Sequence, residues 1–159
     1  MIELYKGDAK RIQHFCKVHS YAKLIAETEN VDKECLFIIE AAALTHDIGI
    51  HFCEEKYGNC NGKLQEKEGP AIAEKMLKEL GFDQDVSDRV QYLIAHHHTY
   101  NNIDGLDYQI LVEADFLVNI YEDHLIPQAI ENIREKIFRT KSGLYLLDNM
   151  YDVAVLNDK

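Results

Sequence analysis

Two histidines and two aspartates in this chain have the chemistry and the setting of a metal-binding set. They are His14, His46, Asp47 and Asp115, and each lies within or at the end of an apolar segment with helical spacing. His46 and Asp47 are adjacent, so an imidazole and a carboxylate can bind one ion together. Nitrogen and oxygen ligands in this mixture suit a divalent metal. The pattern therefore predicts a divalent metal site, with Mn, Fe, Co, Ni or Mg as the candidate ions.

Each of these residues also has an ordinary interpretation when it is taken singly. His14 could be a core or surface histidine, Asp47 a helix-end residue and Asp115 a buried hydrogen-bond acceptor. As a set they favour the metal site, because an unpaired imidazole or carboxylate in an apolar environment is costly.

The number of protein ligands determines what such an ion can do. With four protein ligands, a six-coordinate ion would keep positions for water or a substrate oxygen, whereas a tetrahedral zinc would keep none and be structural. The open site suits hydrolysis, in which a metal polarises a phosphoryl oxygen and lowers the pKa of bound water. Asp47 is then also a catalytic candidate, because it could bridge to a second ion or orient the attacking water.

Three adjacent histidines, His96, His97 and His98, form a further candidate group. Such a run is usually solvated at a helix C-terminus, where the helix dipole favours a protonated imidazole. Helical phase separates the three, because His97 falls three residues after Ile94, on the predicted buried stripe. We therefore predict that His97 faces the site, as a second-metal ligand or as an acid that protonates the leaving group. The solvated alternative remains open.

The apolar periodicity predicts an all-α fold, a single compact bundle of about six or seven helices that spans residues 1–159. Asp8 is the predicted N-cap of the first helix. Residues 50–67 show no period and contain Gly-Asn and Asn-Gly pairs, so they are predicted to form a long loop and are a candidate lid. The predicted helices cover residues 8–28, 32–47, 69–81, 84–98, 108–123, 127–138 and 143–155, with the motifs in a core of about residues 9–124.

The composition is that of an ordinary globular protein, with 47% apolar and 28% charged residues. We expect no apolar stretch to reach the roughly 18 residues of a membrane span. The first residues, Met1–Lys6, lack the plan of a signal peptide. These features predict a soluble, cytoplasmic protein with no membrane partner and with its cysteines reduced.

A strongly acidic balance limits the partners. The net charge of −11 repels phosphate backbones, so no long nucleic acid is expected as a partner. A small phosphorylated substrate remains compatible, because a bound dication reverses the local field. The sequence leaves the oligomeric state open.

The order of these motifs resembles the HD-domain metal-dependent phosphohydrolases. His14 comes first, the run Thr45–Gly49 reads Thr-His-Asp-Ile-Gly, and Asp115 follows. The flanks agree, since Arg11–Ala22 reads Arg-Ile-x-His-x-x-x-Val-x-x-x-Ala and Ile94–His98 is similar to a histidine-bearing helix of many members. The resemblance spans about residues 9–124. It implies an all-helical fold and hydrolysis of a phosphate ester or anhydride, often of a nucleotide.

One position departs from the family pattern. Many dinuclear relatives carry a histidine near the start of the third helix, and the matching place here is Glu68. Glu68 is therefore a catalytic candidate that could bind a metal through oxygen or hydrogen-bond a water. It could equally be an acidic residue favoured at a helix N-terminus.

Three hypotheses for function follow from the residues and the resemblance. The first is a metal-dependent phosphohydrolase for a small phosphorylated metabolite, with nucleotides favoured. The second is a metal-containing nucleotide-binding or regulatory module without turnover. The third is a di-iron oxygenase, which needs the full dinuclear ligand set that Glu68 interrupts.

Overall fold

Helices alone make up the regular structure of residues 1–152, the part of the chain that this computed structural model describes. The all-α prediction is confirmed, with eight helices in the described residues. They are α1 (Ala9–Thr28), α2 (Lys33–Thr45), α3 (Ile50–Tyr57), α4 (Gly62–Glu79), α5 (Gln84–His96), α6 (Leu106–Glu122), α7 (Pro127–Lys136) and α8 (Lys141–Tyr151). The last predicted helix ran to residue 155, and residues 153–155 lie outside the described part.

Side-chain caps define where the first two helices begin. The Asp8 carboxylate accepts a hydrogen bond from the Arg11 amide at 3.1 Å, which confirms the predicted N-cap of α1. Asp32 does the same for α2 by accepting from the Cys35 amide at 2.8 Å. Each cap satisfies one of the amides that a helix N-terminus leaves unpaired. The starts of the two helices that carry His14 and His46 are therefore encoded locally.

The helix α2 lies at the centre of the bundle, in contact with α1, α5 and α6. Its residues Ile39, Ala42 and Ala43 are fully buried. Small alanine side chains let neighbouring helices approach closely, so the last turn of α2 lies deep in the core. The helix α6 is buried in the same way through Ile110 and Ala114. Side chains at the ends and crossings of these helices are thus held by packing on several sides.

The segment Lys33–Tyr57 corrects one expectation from composition. It includes a window with a mean hydropathy of 1.4, which is long and apolar enough for a membrane span by composition alone. The structure divides this run into α2, a turn at residues 46–49 and α3. A share of 44% of that window is buried inside the protein. A helix that packs on several sides in a protein core has the same composition, because it is apolar all round.

The long loop predicted for residues 50–67 is wrong. Residues Ile50–Tyr57 form α3, and only a short connection separates it from α4. Gly58 ends α3 in the left-handed conformation with φ 72°, and Asn61 caps α4 by accepting from the Leu64 amide. Two helical turns are too few to display a clear apolar period, and the Gly-Asn pairs mark the ends of helices here. The lid hypothesis therefore has no long loop to support it.

The start predicted for the next helix is also wrong. The helix α4 begins at Gly62, and Pro70 lies in its interior. The backbones of Gly49 and Gly69 lie in close contact, because a Cβ on Gly49 would lie 3.1 Å from Gly69 Cα. A Cβ on Gly69 would in turn lie 2.8 Å from Ile94 Cγ2. The Gly-Pro pair therefore marks the point where α4 passes over the turn at residues 46–49, rather than a helix N-terminus.

We expect Gly49→Ala and Gly69→Ala each to lower the free energy of unfolding by about 1–3 kcal/mol, because the added methyl group overpacks a filled contact. Urea unfolding curves with an unchanged m-value measure the loss. Ser20→Ala, an exposed change on α1, is the control. Curves for the glycine variants that superpose on this control would contradict the close contact.

Candidate metal centre

The four predicted ligands converge where α1, α2 and α6 meet. His14 Nε2 lies 3.3 Å from His46 Nε2 and 3.3 Å from Asp115 Oδ1. His46 Nε2 lies 3.6 Å from the same Asp115 oxygen. Asp47 Oδ2 lies 3.5 Å from His46 Nε2 and 3.7 Å from His14 Nε2. Two ring nitrogens and two carboxylate oxygens thus face one small region.

Burial and an unpaired oxygen make this cluster fit a cation. His46 is fully buried, and His14 and Asp115 are 8% and 6% exposed. Among the described residues, Asp115 Oδ1 is the one buried side-chain oxygen or nitrogen without a hydrogen-bond partner. A buried carboxylate oxygen that accepts no hydrogen bond is costly, and the two imidazole nitrogens beside it offset that cost only through charge, so the position favours a bound positive ion. His14, His46 and Asp47 together form a group of donor atoms close enough to hold one metal.

The ring orientation of His46 suits a metal ligand. Its Nδ1 lies 3.0 Å from the carbonyl oxygen of Ala43 in the last turn of α2. A carbonyl only accepts, so Nδ1 carries a proton and donates it. The other nitrogen, Nε2, then faces the cluster and can give its lone pair to an ion. The last turn of α2 therefore fixes the ring orientation of His46.

Tyr5 holds the turn that presents Asp47. Its hydroxyl donates to the carbonyl oxygens of Asp47 at 2.8 Å and Ile48 at 3.1 Å, and the side chain is fully buried. Burial raises the pKa of Tyr5, so the hydroxyl stays a donor. Nothing in the sequence pattern pointed to this residue, because a tyrosine before the first helix carries no periodic or motif signal.

His97 lies beside Asp47, with its Nε2 3.3 Å from Asp47 Oδ1. The side chain is buried, as expected for a residue on the apolar stripe of α5. Its neighbour His98 joins it, because Asp47, His97 and His98 form a second group of donor atoms near enough to one another for a cation. His96 differs, since its Nδ1 bonds to the Tyr92 carbonyl oxygen on its own helix at 2.7 Å.

Gln65 of α4 orders the two site-facing histidines. Its Oε1 lies 2.5 Å from His98 Nε2 and 3.3 Å from His97 Nε2. Glu66 beside it accepts from the His98 backbone amide at 3.0 Å. Gln65 was not predicted from the sequence, because residues 50–67 were assigned to a loop and an amide side chain has no ligand signature.

Glu68 lies in the interior of α4, so its interpretation as a helix-start residue is wrong. Its carboxylate accepts from the Tyr57 hydroxyl at 2.5 Å and from Lys56 Nζ at 3.4 Å. In the described part of the chain these hydrogen bonds engage α3, rather than His14, His46 or Asp115. A catalytic role for Glu68 stays a prediction without a contact to support it.

Comparison with known proteins agrees with this geometry. The family model described as HD domain matches residues 11–138. This chain belongs to the HD domain family. Its fold is also similar to the crystal structure of a predicted HD superfamily hydrolase from an uncultured Thermotogales bacterium, with a TM-score of 0.68 and 27% identity over 98% of this chain and 83% of that one. No curated protein matches the chain at a significant level.

Opposite charges in this HD domain shift each other's protonation. Burial alone would raise the pKa of Asp47, but His46 and His97 outweigh it and hold that pKa at about 2. The pKa of Asp115 is also lowered, because His14 and His46 outweigh the effect of its burial. For His46, burial lowers the pKa, but Asp47 and Asp115 outweigh that effect and raise it to about 9. At neutral pH the metal-free HD centre therefore holds ionised carboxylates against a protonated His46.

His98 has the opposite shift. Burial lowers its pKa, and the charge on His97 lowers it further, to about 4. A neutral ring at physiological pH keeps one nitrogen lone pair. His98 can thus accept a proton or bind a cation. His46, by contrast, must lose a proton before it can bind a cation.

Metal binding to the HD centre is expected to release protons. Because the metal-free pKa of His46 is about 9, each bound ion must displace a proton at neutral pH. The Kd for the metal should therefore fall about tenfold for each unit by which the pH rises, until that pKa is reached. Calorimetric titrations with Mn in buffers of different ionisation enthalpy measure the protons released.

His19→Gln serves as the control, because His19 pairs with Glu40 on the surface side of α1 and α2. It should leave the proton count unchanged. A Kd that does not vary with pH, or a proton count of zero, would contradict the protonated state assigned to His46.

Proposed function

We propose that this HD-domain protein is a metal-dependent phosphohydrolase that acts on a small phosphorylated metabolite, above all a nucleotide. The observation that carries the proposal is the buried convergence of His14, His46 and Asp115, with donor atoms 3.3–3.6 Å apart and one carboxylate oxygen without a hydrogen-bond partner in residues 1–152. Membership of the HD family supports it, since HD domains are typically metal-dependent phosphohydrolases.

The residues that would hold the ion are His14, His46, Asp47 and Asp115. A mixed set of imidazole nitrogens and carboxylate oxygens suits Mn, Fe, Co, Ni or Mg more than a thiolate-preferring metal. When bound, such an ion supplies Lewis-acid polarisation of a phosphoryl oxygen and a water of lowered pKa. The protein contributes a rigid and largely buried set of ligands at the crossing of three helices.

His97 is positioned to donate a proton. Its Nδ1 lies 2.7 Å from the Ile94 carbonyl oxygen, and its Nε2 faces Asp47 Oδ1 and Gln65 Oε1, both at 3.3 Å. All three partners are acceptors, so each ring nitrogen faces a group to which an N–H can donate. We assign His97 the role of the acid whose Nε2 proton passes to the leaving-group oxygen.

The acidic charge of this protein is compatible with an anionic substrate only when a cation is bound at the site. The chain has a net charge of −11, so phosphate is repelled by the surface as a whole. Within the cluster, Asp47 and Asp115 carry two negative charges, which a divalent ion would neutralise. Recognition of the phosphate therefore depends on the ion and His97 rather than on a basic surface.

A partly exposed aromatic side chain two residues after His98 favours a nucleotide among phosphorylated metabolites. Tyr100 is 38% exposed and packs on Phe116, with the ring centroids 5.2 Å apart. Burial, followed by the charges of Asp115, Glu66 and Asp47, raises the pKa of Tyr100 to about 12, so its hydroxyl stays protonated at neutral pH. A partly exposed aromatic face of this kind is a surface on which a base can stack.

Phosphate release is the direct test of this function. The metal-stripped protein is assayed with nucleotides and with glycerol phosphate, after Mn, Co, Ni or Mg is added back. We expect metal-restored release that Asp47→Asn lacks and that His97→Asn slows by about 100- to 10,000-fold, the range for a missing general acid. Asp123→Asn, an exposed change at the end of α6, should leave the rate unchanged.

The outcomes separate the competing functions. Tight nucleotide binding without release, in protein that has bound metal, would overturn the hydrolase and favour a regulatory module. Oxygen consumption by the iron-loaded protein, with no phosphate released, would favour an oxygenase instead. Release that survives Asp47→Asn would move the chemistry away from this centre.

A further inference from the structure

His14 has a second carboxylate on the side of its ring that faces away from the cluster. While Nε2 points to Asp115 and His46, Nδ1 lies 3.1 Å from Glu122 Oε2. The other oxygen of Glu122 accepts from Lys17 Nζ at 2.6 Å. The Glu122 side chain is only 13% exposed, so little water competes for these bonds.

This arrangement distinguishes His14 from the other two histidines of the site. In His46 and His97 the Nδ1 nitrogen donates to a backbone carbonyl three residues earlier on the same helix, Ala43 and Ile94 respectively. Those two rings are therefore fixed by their own helix ends. His14 lies in the second turn of α1, and the partner of its Nδ1 is the Glu122 carboxylate of another helix, α6.

We propose that Glu122 is a positioning residue of the metal centre, which holds the Nδ1 proton of His14 and so leaves the Nε2 lone pair for the ion. The proposal rests on the proposed metal centre and adds to it a residue outside the ligand set. A carboxylate partner on the far nitrogen fixes the tautomer and the ring orientation of a ligating histidine and makes it a stronger donor.

Helix geometry explains why Glu122 can reach this place. Asp115 and Glu122 are seven residues apart on α6, which is two helical turns, so both carboxylates lie on the face that packs against α1. His14 and Lys17 are three residues apart on α1 and also share a face. The α1–α6 contact thus supplies one carboxylate to each ring nitrogen of His14.

Lys17 orients the Glu122 carboxylate, because it donates to Oε1 at 2.6 Å while Oε2 faces His14 Nδ1. The charged acceptor makes a stronger hydrogen bond than a neutral carbonyl does. Lys17 itself is partly exposed, and in the described residues its ammonium group bonds to Glu122 rather than to the cluster, so it acts through Glu122.

Metal affinity tests the role without any assay of turnover. The Kd for Mn and for Co is measured by calorimetry for the wild-type protein, Glu122→Gln and Glu122→Leu. We expect Glu122→Leu to weaken both Kd values by about 10- to 100-fold, the usual range for an outer carboxylate of a metal-bound histidine. Glu122→Gln keeps an acceptor oxygen and loses the charge, so its effect should be smaller.

Glu40→Gln is a matched control. Glu40 also accepts from a histidine and a lysine, His19 at 3.0 Å and Lys23 at 2.9 Å. His19 is not one of the proposed metal ligands. The same charge is removed from the same kind of pair, so a general electrostatic effect would appear in both variants. We expect the Kd of Glu40→Gln to stay within about twofold of the wild type, since surface pairs contribute little.

The tautomer of His14 provides a readout that a purely structural role would not change. Spectra of protein with nitrogen-15-labelled histidine are recorded without metal, at a pH where the ring is neutral. The wild type and Glu40→Gln should show the Nδ1–H form of His14, and Glu122→Leu should lose that preference. The wild-type spectrum alone is decisive if Glu122→Leu fails to fold.

Three results would overturn the proposal. One is an Nε2–H form of His14 in the wild type. Another is a Kd in both Glu122 variants equal to that of Glu40→Gln, with metal still bound; this would leave the phosphohydrolase proposal intact. A wild-type protein that binds no divalent metal would remove the proposed function and this role together.

Discussion

The structure depends on two carboxylates held against imidazoles in a region with little water. Asp115 is almost completely buried on α6, and it is tolerated there because His14 and His46 face it from α1 and α2. Replacing any partner would leave a buried charge uncompensated, which is strongly destabilising. The same charges that constrain the packing of three helices also form the donor set for a cation. The packing of α1, α2 and α6 and the candidate metal site therefore depend on the same side chains. A change in how these three helices cross would also change the site.

Around this point, rigidity comes from backbone groups and from close contacts. The end of α2 fixes His46, and the Tyr5 hydroxyl fixes the turn that carries Asp47. Gly49 and Gly69 let α4 pass close over that turn, which places Gln65 where it orders His97 and His98. Ligands supported in this way lose little conformational freedom when an ion binds, which is what a catalytic metal site needs.

The sequence predicted the elements whose signals are local or periodic. Asp8 predicted the start of α1, the apolar run before His46 predicted a helix over residues 32–47, and the phase of His97 predicted its inward direction. The errors arose where the signal is short or ambiguous. A helix of two turns shows no period, so α3 was assigned to a loop, and Gly69-Pro70 marks a crossing of helices as well as it marks a helix start. Tyr5, Gln65 and Glu122 act through contacts between distant segments, which no pattern in a single sequence contains.

Crystals of the protein grown with Mn, with diffraction recorded at the Mn absorption edge, test the central claim most directly. We expect one anomalous peak within bonding distance of His14 Nε2, His46 Nε2, an Asp47 oxygen and Asp115 Oδ1, with the protein backbone unmoved. Anomalous density only between Asp47, His97 and His98, or none in protein shown to bind Mn, would contradict it. In that case the buried ion pairs of Asp115 would have to be regarded as structural.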